Sequence, residues 1–170
     1  APKGPIHFEL TSEAAKSTQP RELEGAEGEI AEPHETSLDE AAVTEVKRLL
    51  GEADKPILII GMEAREPGVA AATRALVQAL SCPALTTYKA KGVVADNDPY
   101  FAGIFTGGSK EADCVSRADL IILCGVDPVE FIRQPWRYSA PVIDIAMVKH
   151  PVHYLTPAVG LYGSLTDYIS

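Results

Sequence analysis

The residues of this chain that could do chemistry fall into a few short groups. Gly61-Met62-Glu63 and Gly125-Val126-Asp127 each set an acid two residues after a glycine, and Glu130 adds another acid beyond the second turn. Turns of this kind can offer backbone N–H groups to a diphosphate, while acids after a strand can act as general bases or cap the next turn. Thr106-Gly-Gly-Ser109 is a further loop that could cradle phosphate. Lys89 and Lys91, before Gly92, could pair with an anion or contact a neighbouring domain. His150 and His153 could share a metal on a helical turn, but Pro151 between them favours a loop and no third ligand is evident. Trp136, with Phe131 and Tyr138 near it in sequence, reads as an aromatic cluster or an interdomain contact. Cys82, Cys114 and Cys124 are odd in number and lack metal or redox spacing, as expected of buried, reduced thiols.

The elements that must hold these groups follow from the apolar pattern. Lys-Pro-Ile-Leu-Ile-Ile-Gly (55–61) is an unbroken apolar run closed by glycine, which suits a strand buried on both faces. Pro67 can open a helix, and Val69, Ala72, Leu76 and Leu80 recur behind it at helical spacing. Strand, glycine turn and helix make the first half of a βαβ unit. Upstream, Ser37-Leu-Asp-Glu40 fits a capping box for a helix through Ala41, Val43, Val46, Leu49 and Leu50, ending at Gly51. Further strands are expected at 83–88, 119–124, 140–145 and 158–162. A short helix is expected at 109–117, and a last one after Ser164. The segment 89–108 has no strong period and reads as a long loop with one helical turn. Residues 4–10 alternate as a short strand without a partner close in sequence.

Strands separated by helices predict a three-layer α/β/α fold with a doubly wound parallel sheet, Rossmann-like, whose ligands sit at the carboxyl ends of the strands. The candidate cofactor-binding residues at those ends are Gly61, Met62, Thr87, Tyr88, Gly125, Val126, Asp127 and Ile145. No catalytic residue and no metal ligand is assigned.

A net charge of −9 argues against nucleic acid and anionic membrane as partners. No apolar run reaches the roughly 18 residues of a membrane span, and the N-terminus lacks a signal-peptide core; a cytoplasmic location is expected. Between Pro20 and Ser37 six glutamates face the single base Arg21, which reads as a solvated acidic linker. The expected division is therefore 1–19 as the tail of a preceding domain, 20–37 as linker and 38–170 as the Rossmann-like domain, cut short at its C-terminus.

Five stretches in order resemble the central domain of thiamine-diphosphate-dependent enzymes of the acetohydroxyacid synthase and benzoylformate decarboxylase type. They are Gly-Pro-Ile-His-Phe-Glu-Leu (4–10), Lys-Pro-Ile-Leu-Ile-Ile-Gly (55–61), Pro-Ala-Leu-Thr-Thr-Tyr-Lys-Ala-Lys-Gly (83–92), Ala-Asp-Leu-Ile-Ile-Leu-Cys-Gly-Val-Asp (118–127) and Val-Gly-Leu-Tyr-Gly (159–163). The resemblance implies a six-stranded parallel sheet of the type seen in NAD- and FAD-binding proteins. It also implies two flanking domains of the same polypeptide that hold thiamine diphosphate and Mg²⁺ in a homodimeric or homotetrameric parent. That parent would be a 2-oxo acid decarboxylase or carboligase like acetolactate synthase. The family's catalytic glutamate belongs to the first domain and its Gly-Asp-Gly motif to the third; these 170 residues contain no Gly-Asp-Gly. This segment alone is expected to be inactive and to serve as a structural link.

Some relatives bind FAD or ADP at the strand ends. They carry an arginine two residues after the glycine matching Gly125, where this chain has Asp127. Ala146 stands where the family usually has an aspartate, and Gly163-Ser164 replaces its Gly-Asp. Glu63 and Glu66 beside a diphosphate would repel it by roughly 1–4 kcal/mol each. The expectation is a retained fold with a vestigial FAD or ADP site. The alternative is a self-sufficient NAD-, FAD- or ADP-binding module.

Overall fold

The computed structural model describes residues 39–130, 135–150 and 155–169, together with Lys16. The chain divides into two units, Ala1–Thr36 and Ser37–Ser170, and the elements below belong to the second. The expected strand at 4–10, the acidic segment, Ser37, Phe131 and His153 lie outside the described residues.

Helix α1 runs Glu40–Glu52. Its N-cap is Asp39 rather than Ser37: the Asp39 carboxylate accepts from the N–H groups of Ala41 and Ala42 at 3.0 and 3.1 Å. A charged cap also complements the positive end of the helix. Strand β1 (Pro56–Ile60) leads through a 3₁₀ turn, Met62–Arg65, into α2 (Pro67–Leu80). Here Pro67 occupies the first turn, where a missing N–H is harmless. The stripe that α2 buries is Val69, Ala70, Thr73 and Val77, with Ala72, Leu76 and Leu80 on its partly covered flank. The helix axis is therefore rotated from the expected face, because Thr73 meets Cys124 on the sheet at 3.9 Å.

Strands β2 (Ala84–Thr86) and β3 (Phe101–Ile104) follow, then a short α3 (Ala112–Val115) and β4 (Leu120–Cys124). A 3₁₀ turn, Pro128–Glu130, precedes β5 (Val142–Ala146); β6 (Val159–Tyr162) and α4 (Leu165–Ile169) close the chain. Strand β3 corrects the reading of 89–108 as a loop. Its pairing with β2 shifts register between Ala84 and Leu85, and its residues are only partly covered, so no alternation survives in the sequence. Helix α3 is shorter than the expected 109–117, and Glu111, at its N-cap, bonds back to the preceding loop.

All six strands are parallel, in the order β3-β2-β1-β4-β5-β6. One face of the sheet packs Leu58, Ile60, Ile122, Cys124, Ile143 and Ile145 under α1, α2 and α4. The other sets Ile57, Ile59, Ile121, Leu123 and Val142 against Phe105, Val115, Trp136 and Tyr138. Trp136 lies edge-on to Tyr138, with ring centroids 5.0 Å apart, and both tilt against Phe105. The central strands β1, β4 and β5 are thus covered on both faces, which is why they read as unbroken apolar runs.

Candidate functional site

The order 3-2-1-4-5-6 reverses direction between β1 and β4, and a crevice for a dinucleotide belongs outside the carboxyl ends of those two strands. Here the two glycine turns touch. A Cβ on Gly61 would lie 2.3 Å from both the Gly125 carbonyl oxygen and the Val126 Cα, so only glycine fits. Gly61 N–H donates to the Cys124 carbonyl at 2.9 Å, and Glu63 N–H to the Gly125 carbonyl at 3.0 Å. Gly125 adopts φ +63° and donates its own N–H to Ile145 at 2.7 Å. This left-handed turn carries the chain from β4 across the end of β1.

The free N–H groups around these turns are filled by carboxylates of the protein itself. Glu130 accepts from Met62 N–H at 2.9 and 3.1 Å, from Asp127 N–H at 2.9 Å and from the Thr87 hydroxyl in a short hydrogen bond. Glu63 accepts from Met147 N–H, past the end of β5, at 2.8 Å and lies 3.6 Å from His150 Nε2. Burial raises the Glu63 pKa from its ordinary value, and the Met147 hydrogen bond only partly counters it. The loop Thr106-Gly-Gly-Ser109 does form a cradle, but Glu111 occupies it. Its Oε1 accepts from Thr106 N–H, the Thr106 hydroxyl and Gly108 N–H at 2.7, 2.9 and 2.9 Å. Burial alone would raise the Glu111 pKa; these hydrogen bonds outweigh it and hold the carboxyl below its ordinary value.

Of the candidate positions, Met62, Thr87 and Asp127 bond to Glu130, while Gly61, Gly125 and Val126 meet one another where the two glycine turns touch. Asp127 also caps its own turn, accepting from Val129 N–H at 3.0 Å. The Ile145 side chain is core, and its carbonyl joins the group through Gly125. Tyr88 stands apart: its side chain is 67% exposed. Lys91 pairs with Asp96 at 3.3 Å on the surface. Among the described residues no group of three or more His, Cys, Asp or Glu is placed to hold a metal. In the sequence Glu130 reads only as a base or a local cap, and nothing marks Glu111. The spacing Asp127 to Glu130 is the one signal that pointed to capping.

A bound FAD or ADP diphosphate would need backbone donors at this crevice. The donors that would hold it already carry carboxylates, and Glu66 stands exposed at the N-terminus of α2. An anion entering the crevice must compete with the Glu130 carboxylate for three donors that it already holds. A cleft of about 630 Å³, lined by Lys55, Pro56, Cys82, Pro83, Cys114 and Arg117, lies at the opposite end, where β1 and β2 begin.

Topology and glycine turns together define a doubly wound α/β domain of the dinucleotide-binding type. The chain belongs to the thiamine pyrophosphate enzymes: residues 43–170 match the central domain of that family. It is 26% identical over 124 residues to acetolactate synthase of Bacillus subtilis (strain 168), an alignment covering 69% of this chain and 22% of that protein. With 2-hydroxyacyl-CoA lyase 1 of Mus musculus it shares 33% identity over 139 residues, 78% of this chain and 23% of the relative. The structure superposes on benzoylformate decarboxylase from Polynucleobacter necessarius with a TM-score of 0.61 at 15% sequence identity, over 78% of this chain and 26% of that one. The chain thus spans about a quarter of the length of these relatives.

Proposed function

We propose that this chain is the non-catalytic middle section of a thiamine-diphosphate-dependent decarboxylase or carboligase of 2-oxo acids, similar to acetolactate synthase. Its work is architectural: it links the domains that hold thiamine diphosphate and Mg²⁺, and its nucleotide crevice is vestigial. The observation that carries this reading is the filling of the strand-end donors by Glu130, Glu63 and Glu111. A domain that binds FAD or ADP leaves such donors to the ligand; this one satisfies them internally, with charges of the ligand's own sign. The division into tail, acidic linker and domain belongs to the same proposal.

Isothermal titration of the chain with FAD, ADP and NAD tests it. No saturable binding is expected, and no thermal shift from any of the three. A ligand at a hundred times its Kd would stabilise the fold by about 2.7 kcal/mol. A one-to-one complex with such a shift would return the chain to the class of self-sufficient nucleotide modules.

A further inference from the structure

Three strand ends, rather than one local turn, build the receptacle for Glu130. Met62 N–H lies past β1, Thr87 Oγ1 past β2 and Asp127 N–H past β4, and the three converge on one carboxylate. Each donor is also held by bonds that do not involve that carboxylate. The turn carrying Met62 is tied down by Gly61 N–H to Cys124 and Glu63 N–H to Gly125. Thr87 is buried; its N–H reaches the Ile60 carbonyl at 2.9 Å, and its hydroxyl accepts from Ala90 N–H at 3.2 Å. Asp127 closes its own turn by accepting from Glu130 N–H through its carbonyl and from Val129 N–H through its side chain. The neighbouring acids accept from other donors, Glu63 from Met147 and Asp127 from Val129, so they do not fill this site, although their charges still oppose an incoming anion. Preorganised N–H and O–H donors converging on one point are how proteins hold small oxyanions.

We infer that Met62 N–H, Asp127 N–H and Thr87 Oγ1 form an oxyanion-binding site whose resident ligand is the Glu130 carboxylate, and that inorganic phosphate takes its place when that carboxylate is removed. The inference rests on the reading of the crevice as internally filled and goes further. The donors form a working site, kept from external anions by Glu130. If Glu130 were merely a brace, the turns would relax on its removal and no site would remain.

The test compares the 170-residue wild-type chain with Glu130→Ala and Glu130→Ser by ¹⁵N NMR during titration with inorganic phosphate. The variants should show saturable shifts of the Met62 and Asp127 amides at millimolar phosphate, with at least tenfold tighter binding than the wild type. Formate should compete, because it restores the lost carboxylate. Adding Thr87→Val to Glu130→Ala should weaken phosphate binding about tenfold, as expected for one donor worth about 1.4 kcal/mol. A folded variant whose two amides ignore phosphate overturns the inference. So does loss of fold in both variants that phosphate does not rescue, since Glu130 is then a brace. In either case, a wild type that still refuses FAD and ADP leaves the proposed function standing. Tight FAD or ADP binding by the wild type would sink that reading instead.

Discussion

Glu111 shows how much a single side chain can decide. One oxygen collects three donors from the Thr106–Gly108 loop, and the residue is buried. Replacing it with alanine strands those donors and should cost about 1–3 kcal/mol in urea unfolding. The pH dependence has a definite sign. Its folded pKa is depressed, so the stabilisation is present above the unfolded carboxylate value and is lost as pH falls through the folded one. The gap in stability between wild type and Glu111→Ala should therefore be full near neutrality and close on acidification. A gap that widened in acid would contradict the assignment. Tyr162 offers a second residue-scale check. Its hydroxyl donates to the buried Asp144 at 3.1 Å, and Gly160 leaves room for the ring, since a Cβ there would lie 2.4 Å from the hydroxyl. Burial first, and the Asp144 charge second, push the Tyr162 phenol up to about 12. Asp144→Asn should lower that value only part of the way to an ordinary phenol, because burial, the larger cause, remains. NMR titration of the Tyr162 ring reads it directly.

At the scale of elements, the two glycine turns and the helices respond to substitution in opposite directions. Gly61→Ala drives a methyl into the backbone of Gly125 and Val126, which cannot rotate away as a side chain could. Its cost should reach or exceed the about 1–3 kcal/mol usual for overpacking. Gly51 is the penultimate residue of α1 with open space around its Cα, so Gly51→Ala should stabilise by up to about 0.5 kcal/mol, less than at mid-helix. Thermal melts of the pair check both signs. The same elements mark what the sequence discloses. Strands β1 and β4 are legible because burial on both faces leaves only apolar residues, and α2 because Pro67 and a helical repeat bound it. Strand β3 is not legible: it is an edge strand with a register shift beside it and Gly103 at φ +116°, so neither alternation nor an apolar run survives. Only the family resemblance implies a sixth strand. The glycine turns of the site were readable for the same reason as β1 and β4, since each closes an apolar run. Their occupant was not. Glu130 lies 68 residues from Met62, and only the parallel crossover brings them together.

Across the whole domain, apolar exposure is uneven. Among the described residues the large exposed hydrophobics are Tyr88, Val129 and Val148, at 67%, 73% and 38%. All three sit on loops past the carboxyl ends of strands, β2, β4 and β5 respectively, and a parallel sheet sends those ends to one rim. The rim that holds the filled crevice thus also offers these apolar side chains to solvent, and the proposed architectural role would use it as a contact with a flanking domain. Tyr88 follows Thr87 and Val129 precedes Glu130, the two residues joined by a hydrogen bond at the crevice. Their replacement should separate folding from assembly. Tyr88→Ser with Val129→Ser should leave the stability of this chain within about 0.5 kcal/mol of wild type, because neither side chain is buried here. In a polypeptide that carries the flanking domains, the same pair should loosen domain contacts, seen as faster limited proteolysis between domains. Equal destabilisation in both settings would place these side chains in the core of this domain, and no effect in either would remove the rim as a contact surface.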